Sequence, residues 1–169
     1  GFDAVRRDLP PDVADYVEGP RDLFAKYDAI PLPFVNVAIA RRRGVRFDEQ
    51  LRDANHWSEA RNGALYRAVL AVLSAQSVAL ALPRAAAIAQ HFGRTTTRVT
   101  GQRSVSGSRS GVPRTLVRWT GFASAHYLER ALARAGAREL QIAYGVPALD
   151  RELSGEPTYA LPFTVTWQT

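Results

Sequence analysis

Five apolar side chains recur at every second position near the C-terminal end of the chain, and this pattern constrains the fold more than any other. They are Tyr159, Leu161, Phe163, Val165 and Trp167. Successive residues of a β-strand point to opposite faces, so the spacing predicts a strand with one buried face. A shift of its pairing by one residue would expose all five side chains, and burial of this face therefore fixes the register.

Pro162 lies in the middle of this strand. Proline has no N–H to donate to a neighbouring strand, so Pro162 predicts that the strand lies at a sheet edge or carries a bulge. An unpaired edge can accept a strand from another chain. If the protein forms a homo-oligomer, the sequence predicts that the contact lies at this edge.

A second β signal spans residues 94–118. Residues 95–100 are rich in threonine, and Thr115, Val117 and Trp119 alternate with other side chains. Glycine and serine dominate the stretch 101–111 between them. The pattern predicts a β-hairpin with a mobile tip.

The first half of the chain carries mainly helical signals. Pro11 is placed to begin a helix that ends before Gly19. Residues 47–92 have apolar side chains at helical spacing, and Pro83 predicts the start of a further helix. Between these regions, the alternation in residues 35–39 predicts a short strand.

These elements together predict the fold class. After the hairpin, a helix is expected over residues 122–135, and Leu140, Ile142 and Tyr144 predict another strand before the last one. The sequence thus predicts an α+β fold: a helical N-terminal half followed by β-β-α-β-β, forming an antiparallel or mixed sheet with helices on one face. It contains no internal repeat or linker, so residues 1–169 are predicted to form a single domain.

The charge of the chain is concentrated in one region. Residues 60–128 contain nine arginines and no aspartate or glutamate, whereas the formal net charge of the whole chain is only +6. A local excess of positive charge is typical of proteins that bind nucleic acid or another polyanion. We therefore predict a nucleic-acid-binding or nucleoprotein-assembly domain without enzymatic activity.

The predicted contact residues are the arginines of the hairpin and of a second basic cluster. Guanidinium groups form bidentate contacts with phosphates, and a β-ribbon can enter a duplex groove or follow a single strand. The hairpin residues are Arg94, Arg98, Arg103, Arg109, Arg114 and Arg118, and the second cluster is Arg41, Arg42 and Arg43.

Two other functions are compatible with the same residues. One is a structural subunit of a larger assembly, such as a capsid or secretion component, with the arginine-rich loop docked on a neighbour. The other is a small basic ribonuclease or toxin domain that needs no metal. In that case His91 and His126 would act as general base and acid, and an arginine would stabilise the phosphate.

The cysteine and histidine content of the chain limits which metals or cofactors it could bind. The chain has no cysteine, and its three histidines lack the spacing of a metal-binding motif, so we expect neither a metal nor another cofactor. The longest apolar run falls far short of the roughly 20 residues that a membrane span needs. We therefore expect a soluble protein without a membrane partner. Its compartment is not indicated, and any targeting segment would lie outside this sequence.

Overall fold

The computed structural model describes residues 1–19, 28–60, 68, 70–89 and 92–168. The chain divides into two compact units, residues 1–54 and 55–169, and each has its own apolar core. The predicted single domain over residues 1–169 stays a prediction. Among the described helices, none has the combined length and hydropathy that crossing a membrane requires.

The first unit is helical. Its core contains Leu9, Val13, Ala14 and Ala38. Pro11 is the first residue of the second helix, as predicted, because the missing N–H of a proline costs no helical hydrogen bond there. The helices are α1 (Phe2–Arg6), α2 (Pro11–Glu18), α3 (Pro31–Arg43) and α4 (Phe47–Ala60), and the division between the units falls within α4.

The strand predicted over residues 35–39 is wrong, because these residues lie in α3. Pro31 is the first residue of this helix, and Gly44 ends it with a left-handed backbone at φ +67°. The alternation is misleading because Ala38 and Ala40, which separate the larger side chains, are themselves buried. Apart from Asn36, both sets of positions are thus apolar, and a period of two is not a reliable strand signal in such a segment.

The second unit is an antiparallel sheet packed against helices on one face, and it confirms the predicted α+β class. The strand order is β1-β2-β5-β3, and β4 also pairs with β5. The elements are α5 (Ala75–Ala89), β1 (Arg94–Gly101), β2 (Ser104–Pro113), a short 3₁₀ turn (Arg114–Leu116), α6 (Val117–Arg134), β3 (Arg138–Tyr144), β4 (Ala148–Leu153) and β5 (Glu156–Gln168).

The core of this unit lies between the sheet and the helices α5 and α6. Phe163, Val165 and Trp167 of β5 contribute to it, together with Leu128 and Leu132 of α6. We call this side of the sheet the inner face and the opposite side the outer face. The alternation predicted for β5 is confirmed, since Leu161, Phe163, Val165 and Trp167 are all buried and Tyr159 is half-buried.

The glycine- and serine-rich stretch 101–111 is not the mobile loop that its composition predicts. Residues 104–111 belong to β2, which pairs with β1 on one side and with β5 on the other. The hairpin tip is only the turn at residues 102–103. Val105 is fully buried, so tertiary packing, rather than side-chain size, determines the order of this segment.

The start of α6 and the position of Pro83 in α5 also differ from the predictions, and in both places buried side chains stabilise the helix. Residues 114–119 form the 3₁₀ turn and the start of α6, where Leu116 and Thr120 are both buried at helical i, i+4 spacing. Pro83 lies inside α5 rather than at its start. Burial of Val78 and Leu82 on the same helix supplies packing energy that offsets the cost of this proline.

Pro162 does not lie at a sheet edge. It pairs with Ser108 of β2, and on its other side β5 pairs first with β4 and then with β3. Pro162 lies opposite the gap between those two strands, where its carbonyl accepts a hydrogen bond from Gly145 N over 2.8 Å. Its missing N–H is tolerated there because no residue of β3 or β4 is its cross-strand partner.

Candidate functional site

Arg109 is a charged side chain in the interior of the second unit. It lies on the inner face of β2, as Val105 does, and only 4% of the residue is exposed. Its cross-strand neighbours are Thr95 on β1 and Leu161 on β5. The alternation of β2 therefore directs a guanidinium group into the core instead of into solvent.

Two hydrogen bonds and one ring contact hold the Arg109 guanidinium. Nη1 donates to Oγ1 of Thr95 over 2.8 Å, and Nη2 donates to the carbonyl oxygen of Phe92 over 2.6 Å. The guanidinium carbon also lies 5.0 Å from the centre of the Phe92 ring, which is a cation–π distance. The third nitrogen, Nε, is buried and has no hydrogen-bond partner within the described part of the chain.

Arg109 carries its positive charge without a neutralising acid among the described side chains. No acidic side chain among the described residues forms an ion pair with it. Burial lowers the pKa of Arg109, and its electrostatic interaction with Tyr144 acts in the opposite direction. A guanidinium nevertheless stays charged at neutral pH. An unpaired buried cation destabilises the folded state, so an anion beside it would be strongly favoured.

Tyr144 lies on the same inner face, at the end of β3, directly opposite Phe163. The two ring centres are 5.7 Å apart. Burial raises the pKa of Tyr144 to about 12, although a hydrogen bond with Ser124 of α6 and the charge of Arg109 act to lower it. The phenol is therefore neutral at physiological pH and keeps a proton to donate.

Helix α6 carries another buried polar atom that has no hydrogen-bond partner in the described part of the chain. Thr120 is fully buried, and its hydroxyl has no hydrogen-bond partner among the residues that the structure describes. Ser124 lies one turn further along the same side of the helix, where it reaches Tyr144. We call Arg109, Thr120, Ser124 and Tyr144 the inner polar site.

Two glycines determine the backbone beside Arg109. Gly93 and Gly111 have φ values of +69° and +67°, which favour glycine over any other residue. A Cβ atom on Gly93 would also lie only 2.5 Å from the carbonyl oxygen of Ser110. Gly111 N donates to Oδ2 of Asp150 over 2.8 Å, which fixes the irregular part of β2 that follows Arg109.

The structure distributes the hairpin arginines over several elements. Arg109 is the buried member, and the other five are exposed. Arg103 donates to Oε1 of Gln168 over 3.0 Å. The exposed members are Arg94 and Arg98 on β1, Arg103 in the turn, Arg114 in the 3₁₀ turn and Arg118 on α6.

The second predicted cluster lies at the end of α3 in the first unit. Arg42 pairs with Asp8 and Arg43 pairs with Asp53, each over 2.6 Å, whereas Arg41 is exposed. Two of these three cations are thus engaged by acids of their own unit. Basic residues in the last turn of a helix also interact favourably with its dipole.

Of the two histidines proposed as a catalytic pair, the structure describes only His126. His126 is buried on α6, and its Nδ1 lies 3.6 Å from Oε2 of Glu129. Its Nε2 is also buried, with no hydrogen-bond partner among the described atoms. His91 lies outside the described residues.

Sequence reasoning missed most of the inner polar site. The composition of residues 101–111 predicts a loop, which hides the strand alternation that places Arg109 two residues from Gly107 and four from Val105. That spacing was the available signal. Thr120, Ser124 and Tyr144 come from other elements, and no local pattern indicates that they approach Arg109.

Solved structures that resemble this chain over its whole length are H-NOX domains. One, from work probing the function of heme distortion in the H-NOX family, has a TM-score of 0.67 at 9% identity, with 100% of this chain and 87% of that chain covered. A Cs H-NOX mutant with 4-cyano-L-phenylalanine at site 5 has a TM-score of 0.66 at 11% identity, with 100% and 88% covered.

A third similar structure is the oxygen complex of an oxygen-binding H-NOX domain related to soluble guanylate cyclases. Its TM-score is 0.65 at 10% identity, and the match covers 100% of this chain and 87% of that chain. No protein-family model and no curated protein matches the sequence. At these identities the likeness establishes an H-NOX-like α+β fold and nothing beyond it.

The predicted nucleic-acid-binding or nucleoprotein-assembly function is wrong, because the structures that share the fold are H-NOX domains with heme and oxygen as their described ligands. The alternatives of an assembly subunit and of a ribonuclease are wrong for the same reason. The predicted polyanion partner is wrong on the same ground. The predicted homo-oligomer contact at a Pro162 edge is wrong as well, because β5 is a central strand.

Proposed function

We propose that this chain is a non-enzymatic sensory domain that binds a small carboxylate-bearing ligand beside Arg109. The observation that carries the proposal is the burial of this cation without an acidic partner among the described residues. The H-NOX-like fold supports it, since a domain of that fold is described as oxygen-binding and related to soluble guanylate cyclases.

A carboxylate matches the groups that the inner polar site offers. Arg109 supplies the charge and a buried Nε that lacks an acceptor. Thr120 and Tyr144 supply hydroxyl groups that can donate to the same ligand. Charge-assisted hydrogen bonds of this kind are stronger than neutral ones, so one carboxylate would provide both the missing acceptor and the missing counter-charge.

Phe92 gives this site a means of signalling. Its ring lies over the Arg109 guanidinium and its carbonyl oxygen accepts from Nη2, so the residue covers the cation. A ligand that competes for Arg109 would weaken both contacts and release Phe92. Binding would thus shift the population of two positions of Phe92 by a factor of at most the ratio of the ligand affinities for them.

A heme does not fit the described residues. Heme iron in proteins is held by His, Cys, Met or Tyr, and this chain has neither cysteine nor methionine. Tyr144 is a poor candidate, because metal binding needs the deprotonated phenol and burial raises the pKa of this residue to about 12.

His126 has a suitable unpartnered nitrogen but lies on the wrong side of α6. It is two residues, or about 200° of helical rotation, from Leu128, which packs against the sheet. The body of the helix therefore separates His126 from Arg109, and the two cannot hold one porphyrin between them. Among the described residues, neither Tyr144 nor His126 can therefore hold a heme iron beside Arg109, and we assign the inner polar site to a carboxylate ligand.

The test compares carboxylate probes with uncharged analogues. Tryptophan fluorescence would follow titrations of the protein with succinate, oleate and protoporphyrin IX, each beside its methyl ester. We expect saturable binding of at least one acid and none of its ester. Arg109→Gln should weaken that binding about 30-fold or more, because it removes one partner of a buried charge pair.

Two variants and one further probe make the result decisive. Arg109→Lys keeps the charge without the guanidinium and should recover part of the affinity, whereas Arg94→Gln, an exposed change on β1, should bind as the parent does. Absence of binding by all three acids, or equal binding by Arg109→Gln, would overturn the proposal. Hemin that binds through a His126-dependent Soret band would overturn the exclusion of heme.

A further inference from the structure

A groove of about 590 Å³ crosses the outer face of the sheet. Its lining residues come from the sheet strands and the segment after β3, and no residue of a helix is among them. Arg98, Ser106 and Thr164 form one outward-facing row of this lining, and Thr96, Ser108 and Pro162 form another, so the groove lies on the outer face. Tyr144 of the inner polar site and Phe163 belong to the inward-facing row between them, and they line the groove as well. The groove is open above the sheet because several of its lining residues have small side chains, among them Ala143, Gly145 and Ser106.

Hydrogen-bond donors stand in one row across three strands of this groove. Arg98 of β1 pairs with Ser106 of β2, and Ser106 pairs with Thr164 of β5. Neighbouring strands are about 4.8 Å apart, so the row spans roughly 10 Å. The adjacent row adds the hydroxyl of Ser108, which lies between Thr96 and Pro162.

The guanidinium of Arg98 is oriented by the groove and keeps most of its donors. Its Nε donates to Oγ of Ser106 over 3.1 Å, which fixes the side chain along the row. Since Ser106 accepts this bond, its own hydroxyl proton remains to be donated. Within the described part of the chain, no other hydrogen bond or ion pair engages the two Nη atoms of Arg98.

We propose that this groove is a second binding site, for a small ligand carrying a phosphate or carboxylate group. The two Nη atoms of Arg98 would hold two oxygens of the group, and the hydroxyls of Ser106, Ser108 and Thr164 would donate to the others. No acidic residue is among the lining residues, so nothing there repels an anion.

The chemistry favours an anion over a neutral polyol. A fixed guanidinium with three neighbouring hydroxyls is a set of donors, and an oxyanion offers only acceptors. A polyol would also bring hydroxyl donors, for which the groove offers few acceptors apart from the same serine and threonine oxygens. The site does not depend on Arg109, because the two guanidinium groups lie on opposite faces of the sheet.

The test is a titration of the ¹⁵N-labelled chain with inorganic phosphate and, separately, with acetate, followed by backbone amide shifts. We expect saturable shifts at the residues of the groove, and acetate shifts around Arg109 would report the inner polar site separately. Phosphate and acetate distinguish the two kinds of group, and saturation by either supports the site. Arg98→Gln should raise the dissociation constant about tenfold or more, since it removes the charge.

The matched control is Arg103→Gln, which removes an exposed arginine from the adjoining turn without touching the groove. It should bind as the parent does. Shifts that do not saturate, shifts spread over the whole surface, or equal weakening in Arg98→Gln and Arg103→Gln would overturn the proposal. Loss of binding in Arg109→Gln alone would instead move the ligand to the inner face.

Discussion

The ring of Phe163 occupies the space that a side chain at Gly107 would need. A Cβ atom built on Gly107 would lie 2.5 Å from Cζ of Phe163 and closer still to the carbonyl oxygen of Thr96. The two residues are direct cross-strand partners on β2 and β5. In the sequence Gly107 indicates flexibility, but in the structure its missing side chain leaves the space into which the aromatic ring of Phe163 packs.

Gly107→Ala should therefore destabilise the protein by about 1–3 kcal/mol or more, as overpacked cores do. Chemical denaturation measures this. Gly121→Ala in α6 is the control, because nothing lies within 4 Å of its Cβ position. That change should stabilise the helix by up to about 1 kcal/mol. Equal effects of the two changes would mean that Phe163 does not pack on Gly107.

Trp167→Ala should cost about 3–5 kcal/mol of unfolding free energy, because the side chain is only 4% exposed and its loss leaves a cavity. Thr164→Ala, on the outer face of the same strand, should cost far less. Denaturation of both variants at one protein concentration tests the register of β5. Similar stabilities would contradict it.

Arg109→Met should leave stability unchanged or raise it, because an apolar side chain replaces a buried cation that has no acidic partner among the described residues. Arg103→Met, at an exposed position, serves as the comparison in the same denaturation series. A large loss of stability in Arg109→Met alone would show that the hydrogen bonds from Arg109 to Thr95 and Phe92 are needed for folding. Arg109 would then have a structural role, and the proposal that it binds a ligand would be weakened.

Tyr144 should make the protein less stable at high pH. Its pKa is raised from 10.0 to about 12 in the folded state, so the folded chain holds the phenolic proton more tightly than the unfolded chain does. The stabilisation of the folded state that this raised pKa provides is complete below pH 10. It is lost as the pH rises towards 12, and the free energy of unfolding then falls by up to about 1.4 kcal/mol per pH unit.

Urea denaturation between pH 9 and pH 12 measures this loss. Tyr144→Phe should show a shallower decline than the parent, because it has no phenol to ionise. Tyr127→Phe changes a more exposed tyrosine of α6 and should decline as the parent does. A parallel decline in all three proteins would assign the pH dependence to other groups.

Local periodicity predicted the elements whose buried and exposed positions differ clearly in polarity. The alternation of β5 is an example and is confirmed. The start of α2 is confirmed too, but it was indicated by Pro11 and not by periodicity. Periodicity failed where both sets of positions were small or apolar, as in residues 35–39 of α3. It also failed for β2, because the serine and glycine residues of this central strand give no apolar alternation. The strand β4, which pairs with β5, was not predicted either.

The sequence by itself determined the α+β class and the inward face of the last strand, because these depend on side-chain spacing within single segments. Only the tertiary structure decided that β5 is central, that Pro162 faces the gap between β3 and β4, and that Arg109 is buried beside Tyr144. Each of these depends on which strands pair and which helix covers them. Such contacts join residues far apart in the chain, and no local pattern records them.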